Sequence, residues 1–158
     1  MASEIKDKFT TSAALTITLA SLASSPSGVG RQSTLVDNTT TRYAMIKIYA
    51  KFTLGISPTG SRAVYLFLIS SDKDATTPSR DDGAGASDQA WTRLNADLIK
   101  EGRDQASPST GDVVLFSGII DNPGPEWGVG VYQDTGVALN STGGNHWIRW
   151  IGINPEGQ

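Results

Sequence analysis

Apolar and polar residues alternate with a period of two along most of the chain, and clusters of Gly, Pro, Ser, Asn and Asp separate the alternating stretches. Alternation of that kind belongs to antiparallel strands with one buried face. The longest example runs from Tyr43 to Leu54, where Ala44, Ile46, Ile48, Ala50, Phe52 and Leu54 share one side and a mixed set including Lys47, Tyr49 and Lys51 shares the other. Strands are predicted at Leu15–Leu19, Gln32–Val36, Tyr43–Leu54, Arg62–Ile69, Val113–Ile120, Glu126–Tyr132 and His146–Ile153. The stretch Trp91–Ile99 fits a short helix or a strand equally well. Arg62–Ile69 and Val113–Ile120 are apolar on both sides, which predicts a strand covered twice, by its own sandwich or by a neighbouring subunit. Gly55–Gly60 reads as a hairpin loop, Ser70–Ala90 and Arg103–Asp112 as polar surface loops, and Gln133–Asn145 as a Gly-rich connection closing a long hairpin. Seven or eight strands at this spacing predict an all-β, antiparallel β-sandwich of jelly-roll type. Residues 13–158 form its single domain, and residues 1–12 precede it as an extended N-terminal arm.

Composition narrows the chemistry. The chain has 158 residues, enough for one self-sufficient core. It has no Cys and a single His, His146, which excludes disulfides, thiol nucleophiles and His-pair or Cys-ligated metal sites. Acidic residues outnumber basic ones, 16 to 13, so the basic excess of a nucleic-acid partner is missing. The stretch Ala13–Ala23 lacks the positive flank of a secretory leader, and no apolar run reaches the roughly 18 residues of a membrane span.

Candidate chemical groups read as structural. Asp72, Asp74, Asp81 and Asp82 do not have the spacing of a calcium loop and read as solvated charge. Asp121 and Glu126 flank the Asn122–Pro125 turn and read as turn residues, not as a glycosidase pair. His146 has no Gly-x-Ser-x-Gly partner and reads as an exposed strand-end residue. No catalytic residue, cofactor or metal is therefore expected. Interaction chemistry is more promising. The pleat of His146–Ile153 puts Trp147, Arg149 and Ile151 on one side and His146, Ile148 and Trp150 on the other, so one indole must leave the core. Trp147 is the predicted outward one, because Arg149 shares its side and guanidinium plus indole is hot-spot chemistry. Trp127 is a second candidate surface indole. In the arm, Ile5 and Phe9 stand isolated among charges, and an arm of that kind is either free or laid against another chain.

The order of parts carries a resemblance: a short polar arm, the segment Gly30-Arg31-Gln32-Ser33-Thr34-Leu35-Val36-Asp37-Asn38 followed by Tyr43 and a long alternating strand, and a terminal Trp-bearing, Gly-rich piece. This resembles the small β-sandwich virion proteins of tailed bacteriophages. The resemblance implies a non-enzymatic structural role such as capsid decoration (cement) or a head-fibre or neck component. It also implies assembly in the host cytoplasm, homo-oligomerisation, for example as a trimer, and contact with virion proteins such as the major capsid protein. The interface residues expected are Ile5, Phe9, Trp127, Trp147 and Arg149. The alternative is a carbohydrate-binding sandwich that stacks a glycan on Trp147 or Trp127.

Overall fold

The computed structural model describes residues 5–25, 28–59, 63–74, 87–90, 96–103 and 109–157. Among them the strands are β1 (Ile5–Phe9), β2 (Ala13–Ala14), β3 (Val29–Gln32), β4 (Val36–Asp37), β5 (Met45–Thr53), β6 (Ala63–Ser71), β7 (Gln89–Ala90), β8 (Ala96–Arg103), β9 (Val113–Asp121), β10 (Glu126–Asp134) and β11 (Trp147–Gly157). They form two antiparallel sheets. One has the order β1-β11-β5-β9, with β2 also on β11; the other has the order β7-β3-β10-β6-β8, with β4 also on β10. The chain changes sheet between β2 and β3, β4 and β5, β5 and β6, β8 and β9, β9 and β10, and β10 and β11. That alternation is the jelly-roll path, so the expected architecture is the one formed.

The period-two pattern decides which side of each strand is buried. Ile46, Ile48, Ala50 and Phe52 of β5, Ile148 of β11 and Val114 of β9 face Val64, Leu66 and Leu68 of β6 and Trp127, Val129 and Val131 of β10 across the core. Trp127 stands edge-on to Trp150 at 5.1 Å, and Trp150 is edge-on to Tyr43 at 5.5 Å, so an aromatic relay ties the two sheets together. Where β8 and β9 come together the backbones are close. A Cβ on Gly102 would lie 2.3 Å from the Phe116 ring, and one on Gly118 would lie 2.6 Å from Ile99.

Several expected elements take another form. Leu15–Leu19 keeps its alternation, with Leu15 and Leu19 buried, but joins no ladder. It bonds to both sheets instead: the Leu15 N–H donates to Ile148 O and the Thr34 N–H to Thr16 O, each at 2.9 Å, which seals one side of the sandwich. Arg31 anchors the same segment by donating to Thr18 O and Ala20 O while pairing with Asp88 at 2.6 Å. The strand expected at Gln32–Val36 is split into β3 and β4, because Ser33 interrupts the ladder and its hydroxyl accepts the Val129 N–H. The connection Gln133–Asn145 is not a hairpin, since β10 and β11 lie in opposite sheets; it is an arch between them, as is the Gly55–Gly60 connection. The first arch is held by a satisfied buried cluster. The Gln133 amide donates to Leu22 O and Val137 O and accepts from the Thr135 N–H and hydroxyl.

Part of Trp91–Ile99 is settled as strand, since β8 begins at Ala96; residues 91–95 lie outside the described residues, as does most of the long polar loop. The doubly apolar β6 is closed within the chain. It lies between β10 and β8, and on its outer side Ile69 and Phe67 are buried beside Tyr132, which stacks on Tyr65 at 4.5 Å.

Candidate interaction surface

The outer side of the sheet β1-β11-β5-β9 presents a regular grid. Its rows, read across β11, β5 and β9, are Trp147–Lys51–Leu115, Arg149–Tyr49–Ser117, Ile151–Lys47–Ile119 and Ile153–Met45–Asp121. Leu115 is 64% exposed and Ile119 59%, and Val113 on the same strand is exposed as well. A shallow hollow of about 280 Å³ opens between Tyr49, Leu115, Phe116, Ser117 and Trp147. Monomeric surfaces seldom gather this many large apolar side chains. The grid also carries three cations and no carboxylate in its first three rows. Arg149 lies over the Trp147 ring at 4.8 Å, and Lys47 lies over Tyr49 at 5.3 Å. On a chain of net charge −3 this is the locally basic face.

The predicted outward pair is brought together here. Trp147 is half-buried and Arg149 exposed on the outer side, while Trp150 turns inward to the aromatic relay. The guanidinium on the Trp147 ring is in the place a stacked sugar would need on that face.

Trp127 requires a correction. It was expected at the surface, but it is fully buried, because β10 is the middle strand of its sheet and its inner side faces the core. Neither a partner nor a glycan can reach it. His146 requires another. Expected to be exposed, it is buried, with Nδ1 accepting the Thr53 N–H at 3.2 Å and Nε2 donating to Asn140 O at 2.8 Å. Burial, with the nearby Lys51 charge adding, holds its pKa below the ordinary 6.5 against the raising effect of the Asn140 bond. It is a neutral structural imidazole joining the β5 end to the β10–β11 arch.

The described part of the arm, Ile5–Phe9, pairs with the chain's own β11. It forms β1, which adds to the edge of the sheet with Phe9 opposite Ile153 and Ile5 opposite Gly157. β11 runs past the end of β5 here, so Ile5–Lys8 and Asn154–Gly157 form a two-stranded ribbon without a third strand. Ile5 and Phe9 remain 72% and 60% exposed on the same outer side as the grid. Two strands alone are marginal in water, so this ribbon gains little from its own side chains.

The remaining polar candidates do not converge. Asp121 and Glu126 flank the β9–β10 turn, and the Asp74 N–H donates to Asp72 while Asp81 and Asp82 lie outside the described residues. Among the described residues no three His, Cys, Asp or Glu side chains group as a metal site, and no helix is long and apolar enough to cross a membrane. Leu115, Ile119, Tyr49 and Lys47 were not singled out as site residues from sequence. The signal was present in the two-sided apolar pattern of Val113–Ile120 beside the mixed face of Tyr43–Leu54. No family model matches the chain, and no curated protein is detectably similar to it. The functional reading therefore rests on this geometry.

Proposed function

We propose that the protein is a non-enzymatic structural component of a viral particle, a capsid decoration or related head or neck protein of the kind found in tailed bacteriophages. The observation that supports this reading is the outer side of this sheet, where Ile5 and Phe9 on β1 and Leu115 and Ile119 on β9 are exposed on either side of Trp147, Arg149 and Ile151 of β11. A surface of this composition is suited to protein contact. Its apolar rows supply area, and Lys47, Lys51 and Arg149 favour a partner bearing carboxylates. Binding through several neighbours at once turns a modest contact into a lasting one, as a particle lattice provides. The arm ribbon contributes Ile5 and Phe9, whose apolar side chains are uncovered on the single chain.

The test is particle occupancy, measured by quantitative mass spectrometry of purified virions. The intact chain is expected in the particle at stoichiometric copy number. Deleting Met1–Ser12, or replacing Trp147 and Arg149 by alanine, should lower that number while circular dichroism shows the sandwich intact. Absence of the intact chain from particles would refute the reading, and unchanged occupancy of both variants would refute the role of this surface.

A further inference from the structure

The four outermost strands of the two sheets are not equally protected. An open strand edge is a template for another strand, and proteins guard such edges with charge, proline, a bulge or shortness. β1 has three charges in five residues, Lys6, Asp7 and Lys8. β8 carries Asp97, Lys100, Glu101 and Arg103, and its pairing with β6 is broken by a register shift at Leu66/Phe67. β7 is two residues long. β9 has none of these protections. It is nine residues, VVLFSGIID, with one charge at its far end, no proline and an unbroken register against β5. No residue of β9 has a hydrogen-bond partner on its open side among the described residues.

We infer that β9 is a dimerisation edge, and that its occupant is the β9 strand of a second copy, paired antiparallel about a two-fold axis at Ser117. The strand is self-complementary in that register. Leu115 falls opposite the second copy's Ile119, Ile119 opposite its Leu115, and Ser117 opposite itself, all on the outer side. Both residues are largely exposed in the single chain, and the pairing sets them in two Leu–Ile cross-strand pairs, one on each side of Ser117. Asp121 meets Val113, so no like charges face each other. The nearest cations, Lys47 of one copy and Lys51 of the other, stand two strands beyond the axis on either side, about 14 Å apart and outside the Debye length at physiological salt. Pairing two copies face to face through the grid would instead stack three cations on three. The edge mode joins the two sheets into one and leaves the grid open, so this inference does not rest on the virion reading.

The experiment is the solution mass of the full chain from about 1 μM to about 1 mM, by light scattering and sedimentation. The wild-type chain should rise from 16.7 kDa to twice that mass. Leu115→Lys with Ile119→Lys sets like charges opposite at both positions and should hold the mass at that of one chain throughout. Leu115→Lys with Ile119→Glu sets opposite charges against each other in the same register and should restore the dimer. Both sites are exposed, and far-UV circular dichroism checks that each variant is folded. A wild-type chain that stays monomeric overturns the inference, as does a multimer indifferent to the double lysine substitution. An equal loss of the dimer in both double variants overturns the register. Hydrogen exchange on the wild-type chain gives an independent readout: alternate β9 amides should gain protection as concentration rises, and protection independent of concentration overturns it.

Discussion

Replacing Gly152 by alanine should cost about 2 kcal/mol of stability, because the Tyr43 ring occupies the space the methyl group needs. A Cβ at Gly152 would sit 2.3, 2.4 and 2.6 Å from three Tyr43 ring carbons, where ordinary contact begins at 3.4 Å. The ring must therefore retreat by about 1 Å in a close-packed setting. It has little freedom to do so, since its edge contact with Trp150 at 5.5 Å continues to Trp127 at 5.1 Å. Overpacking of this kind costs about 1–3 kcal/mol, and a loosened aromatic pair adds about 0.5–1.5 kcal/mol. Removing a strand glycine returns about 0.5–1 kcal/mol, which leaves the net near 2 kcal/mol. For a chain of this size that is a fall in Tm of about 4–8 °C. Urea unfolding followed by circular dichroism measures it, with Gly143→Ala as the control, since nothing lies within 4 Å of a Cβ there. In a Tyr43→Ala background the Gly152 substitution should become neutral or stabilising. A Gly152→Ala chain as stable as the wild type, or one equally destabilised without the Tyr43 ring, would refute the steric argument.

Other outcomes follow from the same packing. Trp127→Ala should cost about 3–5 kcal/mol by leaving a large core cavity, whereas Trp147→Ala should cost about 1 kcal/mol or less, a contrast read by paired urea curves. Stability should fall as pH drops below 6.5, because the unfolded chain protonates His146 there while the folded chain resists. The slope should reach at most about 1.4 kcal/mol per pH unit; a wild-type Tm that is flat between pH 8 and 5.5, or the same slope in His146→Gln, would contradict it. Deleting Met1–Ser12 should lower stability only slightly, since every β1 side chain is exposed, and a chain that fails to fold without the arm would show that β1 belongs to the core.

The strands were legible because their cause is local. Successive side chains on an extended backbone point to opposite sides, so the alternation in Tyr43–Leu54 marks both the strand and its buried side wherever it is placed. The outward turn of Trp147 with Arg149 was legible for the same reason, since they alternate with Ile148 and Trp150 on opposite sides of one strand. Trp127 was not. Its own strand, Glu126–Tyr132, mixes apolar residues with Gly, and only the central place of β10 in its sheet shows which side is sealed. His146 was misread for a related reason: a residue at a strand start is exposed unless another loop folds over it, and here the Asn140 arch does.

By itself the amino-acid sequence determined that the chain is an all-β sandwich and which residues along each strand share a side, since period, turn chemistry and composition act over a few residues. The tertiary structure alone decided which sheet each strand joins, that β1 returns to its own sheet, that β6 is sealed within the chain, and that β9 is left open among the described residues. Those outcomes depend on which strands and surfaces meet, between residues as far apart in the chain as Ile5 and Gly157. β6 and β9 carry the same two-sided apolar pattern, and they part company because one is the interior strand of its sheet and the other is the last.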